Sequence, residues 1–215
     1  MQTIVDIIPV GAFQCNCIIL GDPQTKEAIV IDPGDDISKI MERIHLHGLS
    51  VKWIVHTHTH IDHIGGTTAL QKETNGKVAM HKEDLFLYEK MDMQAAFLRM
   101  HTASYEPIPP DEFLVDGQEI KAGNLSGNTL HTPGYTPGSC GFYFPKLETA
   151  GILFPGDTLF AGSVGRTDLW KGDYDQEIAS IKKKYLTLPD EVIVVPGHGP
   201  NTTIGREKVR NPFLQ

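Results

Sequence analysis

The chain has 215 residues, with 19 basic against 27 acidic side chains and a formal net charge of −8. That balance argues against a dedicated nucleic-acid binder, and no apolar run reaches the roughly 18 residues of a membrane span. Three cysteines (Cys15, Cys17, Cys140) cannot all pair within the chain; with an N-terminus that lacks a basic signal-type region, the expected compartment is a reducing cytoplasm.

In chain order, apolar and β-branched runs predict strands at "TIVDIIPV", "NCIIL", "AIVID", "WIV", "KVAM", "CGFYF", "GILF" and "VIVV". Between them, "DISKIMERIHLHG" spaces Ile37, Ile40, Met41 and Ile44 as one helical face and stops at Gly48. "GGTTALQKETNG" predicts a short helix closing at Asn75-Gly76, and "YDQEIASIKKKYL" another, ended before Pro189. Residues 83–101 read as one longer helix with two adjacent apolar stripes, Leu87/Met91/Ala95/Leu98 and Phe86/Met93/Phe97/Met100. The Pro-rich "YEPIPPDEFLVDG" reads as an exposed connector. Strands cluster early and alternate with helices later, which predicts a layered α/β domain with mixed sheets.

The segment His56–His63 holds four histidines and one aspartate in eight positions. So many polar, ligand-type side chains are costly to bury unless a cation joins them. In an extended segment, residues two apart point the same way, so His58 and His60 suit one ion. Asp62 and His63 are adjacent, project differently and suit a second. Further candidates also follow apolar runs: "SGNTL" leads into His131, "GILFPG" into Asp157 and "VIVV" into His198. Strand ends in an α/β sheet line one edge, where ligand crevices form. On this reading His131 completes a three-histidine site, His198 joins Asp62 and His63, and Asp157 bridges. His56 is expected outside the ligand set. The donors are nitrogen and oxygen only, which suits zinc, iron or manganese. Taken alone, "HTPG" and "PGHG" could equally be ordinary turns.

As a set, "THTHIDHIGG", "HTPGYTPGS", "GDTLF" and "GHG" resemble the metallo-β-lactamase fold superfamily, and "IDPG" resembles its early aspartate motif. The resemblance implies a four-layer αββα sandwich with two mixed β-sheets and metals at one sheet edge. It also implies His58, His60 and His131 on one ion, Asp62, His63 and His198 on the other, Asp157 between them, and Asp32 orienting a ligand from behind. "GDTLFAGSVGRTDL" and the tail "GHGPNTTIGREKVRNPFL" resemble short bacterial glyoxalase-II-like hydrolases. That branch implies one domain over residues 1–215, without the C-terminal helical domain of classical glyoxalase II. It implies two divalent ions, zinc first, and cleavage of a small-molecule thioester such as S-lactoylglutathione, with Asp62 positioning the attacking hydroxide. Arg166 matches a basic position that contacts the glutathione carboxylate.

The chain departs from that pattern at Asp168 and Pro200, where glyoxalase II has tyrosines. Tyr135 stands where many relatives have a second histidine, a position read here as outside the ligand set. A one-iron persulfide dioxygenase and a lactonase of the same fold are the competing activities. No nucleic-acid or membrane partner is expected.

Overall fold

The computed structural model describes residues 2–100 and 106–215. Two six-stranded sheets dominate it. The first is built from β1 (Ile4–Val10), β2 (Cys15–Gly21), β3 (Glu27–Ile31), β4 (Ser50–Val55), β5 (Lys77–His81) and β6 (Glu112–Leu114), in that spatial order. Its first three strands are antiparallel and the rest parallel. The second contains β7 (Glu119–Ala122), β8 (Leu125–His131), β9 (Cys140–Phe144), β10 (Ile152–Phe154), β13 (Ile193–Val194) and β14 (Thr202–Thr203). Its order is β14-β13-β10-β9-β8-β7, with only β10 and β13 parallel. A small hairpin, β11 (Leu159–Phe160) with β12 (Ser163–Val164), lies between β10 and β13 in the chain.

The period of two along β2 shows how the layers form. Ile18 and Leu20 face the second sheet, meeting Ile120, Leu125, Phe142, Phe144 and Phe154 in the central core. Cys15, Cys17 and Ile19 face outward onto a helical layer. That layer is α1 (Ile37–His47), which buries Ile40 and Ile44, and α3 (Thr67–Thr74), which buries Leu70. On the far side of the second sheet, α6 (Tyr174–Ser180), the turn that follows it and α7 (Ile204–Arg210) cover Leu153 and Val194 with Ile181, Tyr185 and Ile204. The result is the four-layer αββα sandwich, with both sheets mixed. None of the helices among the described residues is long and apolar enough to cross a membrane.

The helices around α1 and α3 follow the sequence pattern, with Gly48 and Asn75 closing them in the left-handed conformation. Residues 83–101 do not form one helix. A short turn leads into α4 (Leu85–Tyr88), and α5 (Met91–Phe97) follows after a break at Glu89-Lys90. The Gln94 side-chain amide donates to the Leu87 carbonyl at 2.9 Å, the acceptor that Met91 N–H would use in an unbroken helix. Leu87, Met91 and Ala95 pack inward, while Met93 and Phe97 are exposed. His101, the end of that expected helix, lies outside the described residues. The connector expected around 105–117 contributes β6, a sheet-edge strand parallel to β5.

Candidate metal centre

Asp32, His56, Asp157 and His198 all follow the C-terminal ends of strands β3, β4, β10 and β13. The two sheets are cross-tied along that edge. Asn16 N–H donates to Gly197 O at 2.7 Å, and Cys140 N–H donates to Thr57 O at 2.7 Å. His60 precedes α2 (Ile61–Ile64), whose single turn presents Asp62 and His63. Gly34 and Gly197 permit the close approach: a Cβ at Gly34 would strike the Asp62 carbonyl, and one at Gly197 would strike the Asp157 carboxylate.

Asp32 organises the histidines from behind. Its backbone sits at φ 52°, a strained conformation for a non-glycine residue. Its carboxylate accepts from Thr57 N–H at 2.8 Å, Thr57 Oγ–H at 2.6 Å and His63 Nδ1 at 3.0 Å. The Thr57 hydroxyl, with its proton committed to Asp32, lies 3.0 Å from His58 Nδ1 and accepts from it. His198 Nδ1 donates to the Phe13 carbonyl at 3.0 Å. Three imidazoles thus have Nδ1 engaged, and Nε2 is left as a lone-pair donor, the usual arrangement behind metal ligands. Burial opposes ionisation of Asp32, but the nearby His56 ring and the hydrogen bond from His63 outweigh it and bring the carboxyl down to about 2.

The released nitrogens converge. His63 Nε2 and His198 Nε2 face one another at 3.2 Å. Asp62 Oδ2 lies 3.2 Å from His198 Nε2 and 3.7 Å from His63 Nε2. Asp157 approaches the same pair with Oδ1 at 3.4 Å and Oδ2 at 3.6 Å. Burial opposes a charge on His198, yet the Asp62 hydrogen bond and the charge of Asp157 raise its pKa. The two carboxylates therefore call for positive charge at this point. A divalent cation supplies it and leaves the imidazoles neutral. His58 Nε2 and Asp157 Oδ1 are buried without a hydrogen-bond partner, so the cluster fits a metal. Burial, then neighbouring imidazoles, hold His58 well below its ordinary pKa, in the neutral form a ligand needs. No thiolate competes: the Cys15 thiol lies behind the site, against His63 Nδ1 and the Asp32 carbonyl, and burial pushes it up to about 12.

The structure brings together His58, His60, Asp62, His63, Asp157 and His198, with Asp32 behind them. It does not bring His131. That residue ends β8, two strands from β10 in the sheet, and its ring stacks on His81 at 3.9 Å. Its Nε2 lies 2.9 Å from the Pro137 carbonyl, to which it donates. The expected three-histidine site is corrected accordingly. Only the turn after β8 reaches back toward the centre, and the side chain it delivers is Tyr135. The Tyr135 hydroxyl is 3.1 Å from His60 Nδ1 and donates to Asp157 Oδ2 at 3.0 Å. His56 packs behind the site, with Nε2 3.1 Å from the Thr67 hydroxyl.

Sequence reasoning missed two buried supports. Asp84 accepts from Thr59 N–H, Thr136 Oγ–H and Gly138 N–H at 3.1, 2.8 and 2.6 Å, so one carboxylate holds both the histidine loop and the Tyr135 turn. Gln94 accepts from Ile61 N–H and donates to Thr59 O at 3.1 and 3.0 Å. Neither stands in a recognisable motif, and only the fold gives them partners. Trp170 was also unmarked; its ring lies 5.1 Å from that of His60 and 5.5 Å from Phe97. With Phe13, Leu98 and Leu169 it walls a cleft of about 360 Å³ that opens onto the cluster. Arg166 reaches the cleft rim but is paired with Asp168 through two bonds of 2.7 Å.

Comparison with known proteins identifies the family and the fold. The profile of the metallo-β-lactamase superfamily matches residues 10–198. The chain is 39% identical over 212 residues to "Hydroxyacylglutathione hydrolase GloC" of Haemophilus influenzae, covering 98% of this chain and 97% of that one. Among solved structures, the BLEG-1 B3 metallo-β-lactamase superposes with a TM-score of 0.88 at 35% identity, covering 98% of this chain and 99% of that one. TTHA1623 in a di-iron-bound form superposes with 0.87 at 36%, covering 97% and 100%. A shared fold, a motif set in order and a cluster built to receive cations lead to one conclusion: the chain belongs to the metallo-β-lactamase superfamily and is a hydrolase enzyme.

Proposed function

We propose that the enzyme is a dinuclear, glyoxalase-II-like metallohydrolase that cleaves a thioester. The observation that carries this reading is the opposed Nε2 pair of His63 and His198, flanked by Asp62 and Asp157 beside His58 and His60. In this reading His63, His198 and Asp62 hold one ion, His58 and His60 the other, and Asp157 lies between them. Held by these residues, divalent ions would supply Lewis acidity toward a carbonyl and bring the pKa of water toward neutral. Asp62 is the residue proposed to orient the attacking water. Burial opposes its ionisation, but the neighbouring His63 and the hydrogen bond from His198 outweigh it and hold its carboxyl below the usual carboxylate range, so Asp62 acts as a hydrogen-bond acceptor.

The cleft bears on the substrate. Phe13, Leu98, Leu169 and Trp170 suit apolar acyl or thiol portions. Arg166, a cation on the rim, is already paired with Asp168. A thiolate leaves without strong acid assistance, which suits a site whose centre offers bases and metal donors. The relative from Haemophilus influenzae is named for a glutathione thioester, and S-lactoylglutathione is the first substrate to try.

The test is metal analysis with a panel of S-lactoylglutathione, other acyl thioesters, a lactone, a β-lactam and glutathione persulfide. The expected result is about two ions per chain, thioester turnover, and a loss of more than about 100-fold in kcat/KM for Asp62→Ala. Oxygen consumption on the persulfide by a one-iron enzyme, or near-full turnover by Asp62→Ala, would overturn the reading.

A further inference from the structure

The turn that returns from β8 puts an oxygen where the sequence pattern led one to expect a nitrogen. Tyr135 is buried, and its ring packs edge-on against His58 and His60, each at 4.9 Å between centroids. That packing aims the hydroxyl between the two imidazoles and Asp157, at 3.1 Å from His60 Nδ1 and 3.0 Å from Asp157 Oδ2. Adjacent donors around one small cation stand at such separations, because each lies about 2 Å from the ion. His58 directs an unpartnered, buried Nε2 into the same neighbourhood. The position is not an accident of a loose loop. Asp84 holds the histidine segment at Thr59 and the tyrosine turn at Thr136 and Gly138 with one carboxylate.

We propose that Tyr135 is the third protein ligand of the ion held by His58 and His60, so that this site carries two imidazoles and one phenolate. The inference rests on the dinuclear reading above. On coordination the phenol O–H bond breaks, its proton passes to solvent, and the oxygen bonds the ion, whose charge balances the phenolate. Asp157 Oδ2, which accepts the hydroxyl proton in the absence of metal, is then released toward the ions. An anionic oxygen in place of a neutral nitrogen makes the site harder. It biases the site toward iron or manganese over zinc.

The test loads the wild-type protein with ferrous iron, oxidises it with ferricyanide and records the visible spectrum alongside iron and zinc stoichiometry. The expected result is a phenolate-to-ferric charge-transfer band and two ions per chain. Tyr135→Phe is expected to lose the band and one ion, keeping the ion at Asp62, His63 and His198. Tyr135→His is expected to restore two ions without the band, and circular dichroism checks the fold of each variant. Two ions and unchanged affinity in Tyr135→Phe, with no band in the wild type, would overturn the ligand assignment and leave the dinuclear reading standing. One ion in the wild type but two in Tyr135→His would overturn it as well, since the phenol then blocks the position. Fewer than two ions in both the wild type and Tyr135→His would sink the dinuclear reading and the ligand assignment together.

Discussion

Arg166 and Asp168 lie on the exposed rim of the cleft, joined in a two-bond fork. On the proposed function the guanidinium of Arg166 would meet a substrate carboxylate, and Asp168 would compete with that carboxylate for the same two N–H groups. An exposed pair of this kind is weakly held and screened by salt. Replacing the competitor, as in Asp168→Ala, is therefore expected to lower KM several-fold for anionic thioesters. The kcat should stay unchanged, and neutral thioesters should be unaffected. Steady-state kinetics at low and high salt check this: the gain should shrink as salt rises. An unchanged KM at low salt would mean that Arg166 does not meet the substrate. Both residues stand in one short motif, so the pair was readable as a possibility in the sequence. Its geometry was not, because two side chains two apart in a loop can turn toward or away from each other.

Between elements, single carboxylates do the joining. Asp84 couples the loop after β4 to the turn after β8. Burial raises its carboxyl to about 6 against the hydrogen bonds from Thr136, Gly138 and Thr59, which leaves it ionised at neutral pH. Asp22, after β2, accepts from Gln24 N–H, Thr25 Oγ–H and both the backbone and side-chain N–H groups of Asn124, at 2.7–2.9 Å. It ties the β2–β3 turn of one sheet to the β7–β8 turn of the other. The Asn124 N–H, then the Gln24 N–H, bring its carboxyl from 3.8 to about 2. A depressed carboxylate pKa stabilises the fold above the unfolded value and loses that stabilisation as pH falls through the folded one. Urea unfolding should therefore show stability that falls between about pH 4 and pH 2 in the wild type, with a shallower fall in Asp22→Asn. Parallel pH profiles for the two proteins would count against the assignment. The helices show the same contrast between local and long-range control. α1 was legible because Ile37, Ile40, Met41, Ile44 and Gly48 are local signals. The break between α4 and α5 was not, because Gln94 imposes it through contacts to Thr59 and Ile61, some 30 residues away.

For the whole molecule, the two sheets share one core, and their polar edges meet at the metal cluster. Ions bound there link segments from residue 58 to residue 198, which an unfolded chain cannot hold together. Binding to the native state alone stabilises it by about 2.7 kcal/mol when the free ion is at 100 times its Kd. For a chain of this size that corresponds to about 5–10 °C in Tm. Removing the ions with a chelator is therefore expected to lower Tm by at least that amount, the figure for a single ion, with recovery on adding back metal. Calorimetry checks it, and an unchanged Tm would show that the cluster does not hold ions tightly.

The sequence by itself determined the fold class and most of the side chains that gather at the sheet edge. Alternation along strands, helical spacing and the density of histidines around residue 60 are local properties. Motifs placed at strand ends have little choice of edge in an α/β sheet. Only the tertiary structure decided which residue from "HTPGYTPGS" enters the centre. The sequence pattern pointed to His131 at the strand end. The strand order, however, places β8 two strands away from β10 and Asp157, so a side chain on the strand itself falls to the side and stacks on His81. The turn beyond it must cross that gap, and its fourth residue, Tyr135, is the one that arrives. The chemistry of the first metal position depends on that lateral distance, which no spacing along the chain expresses.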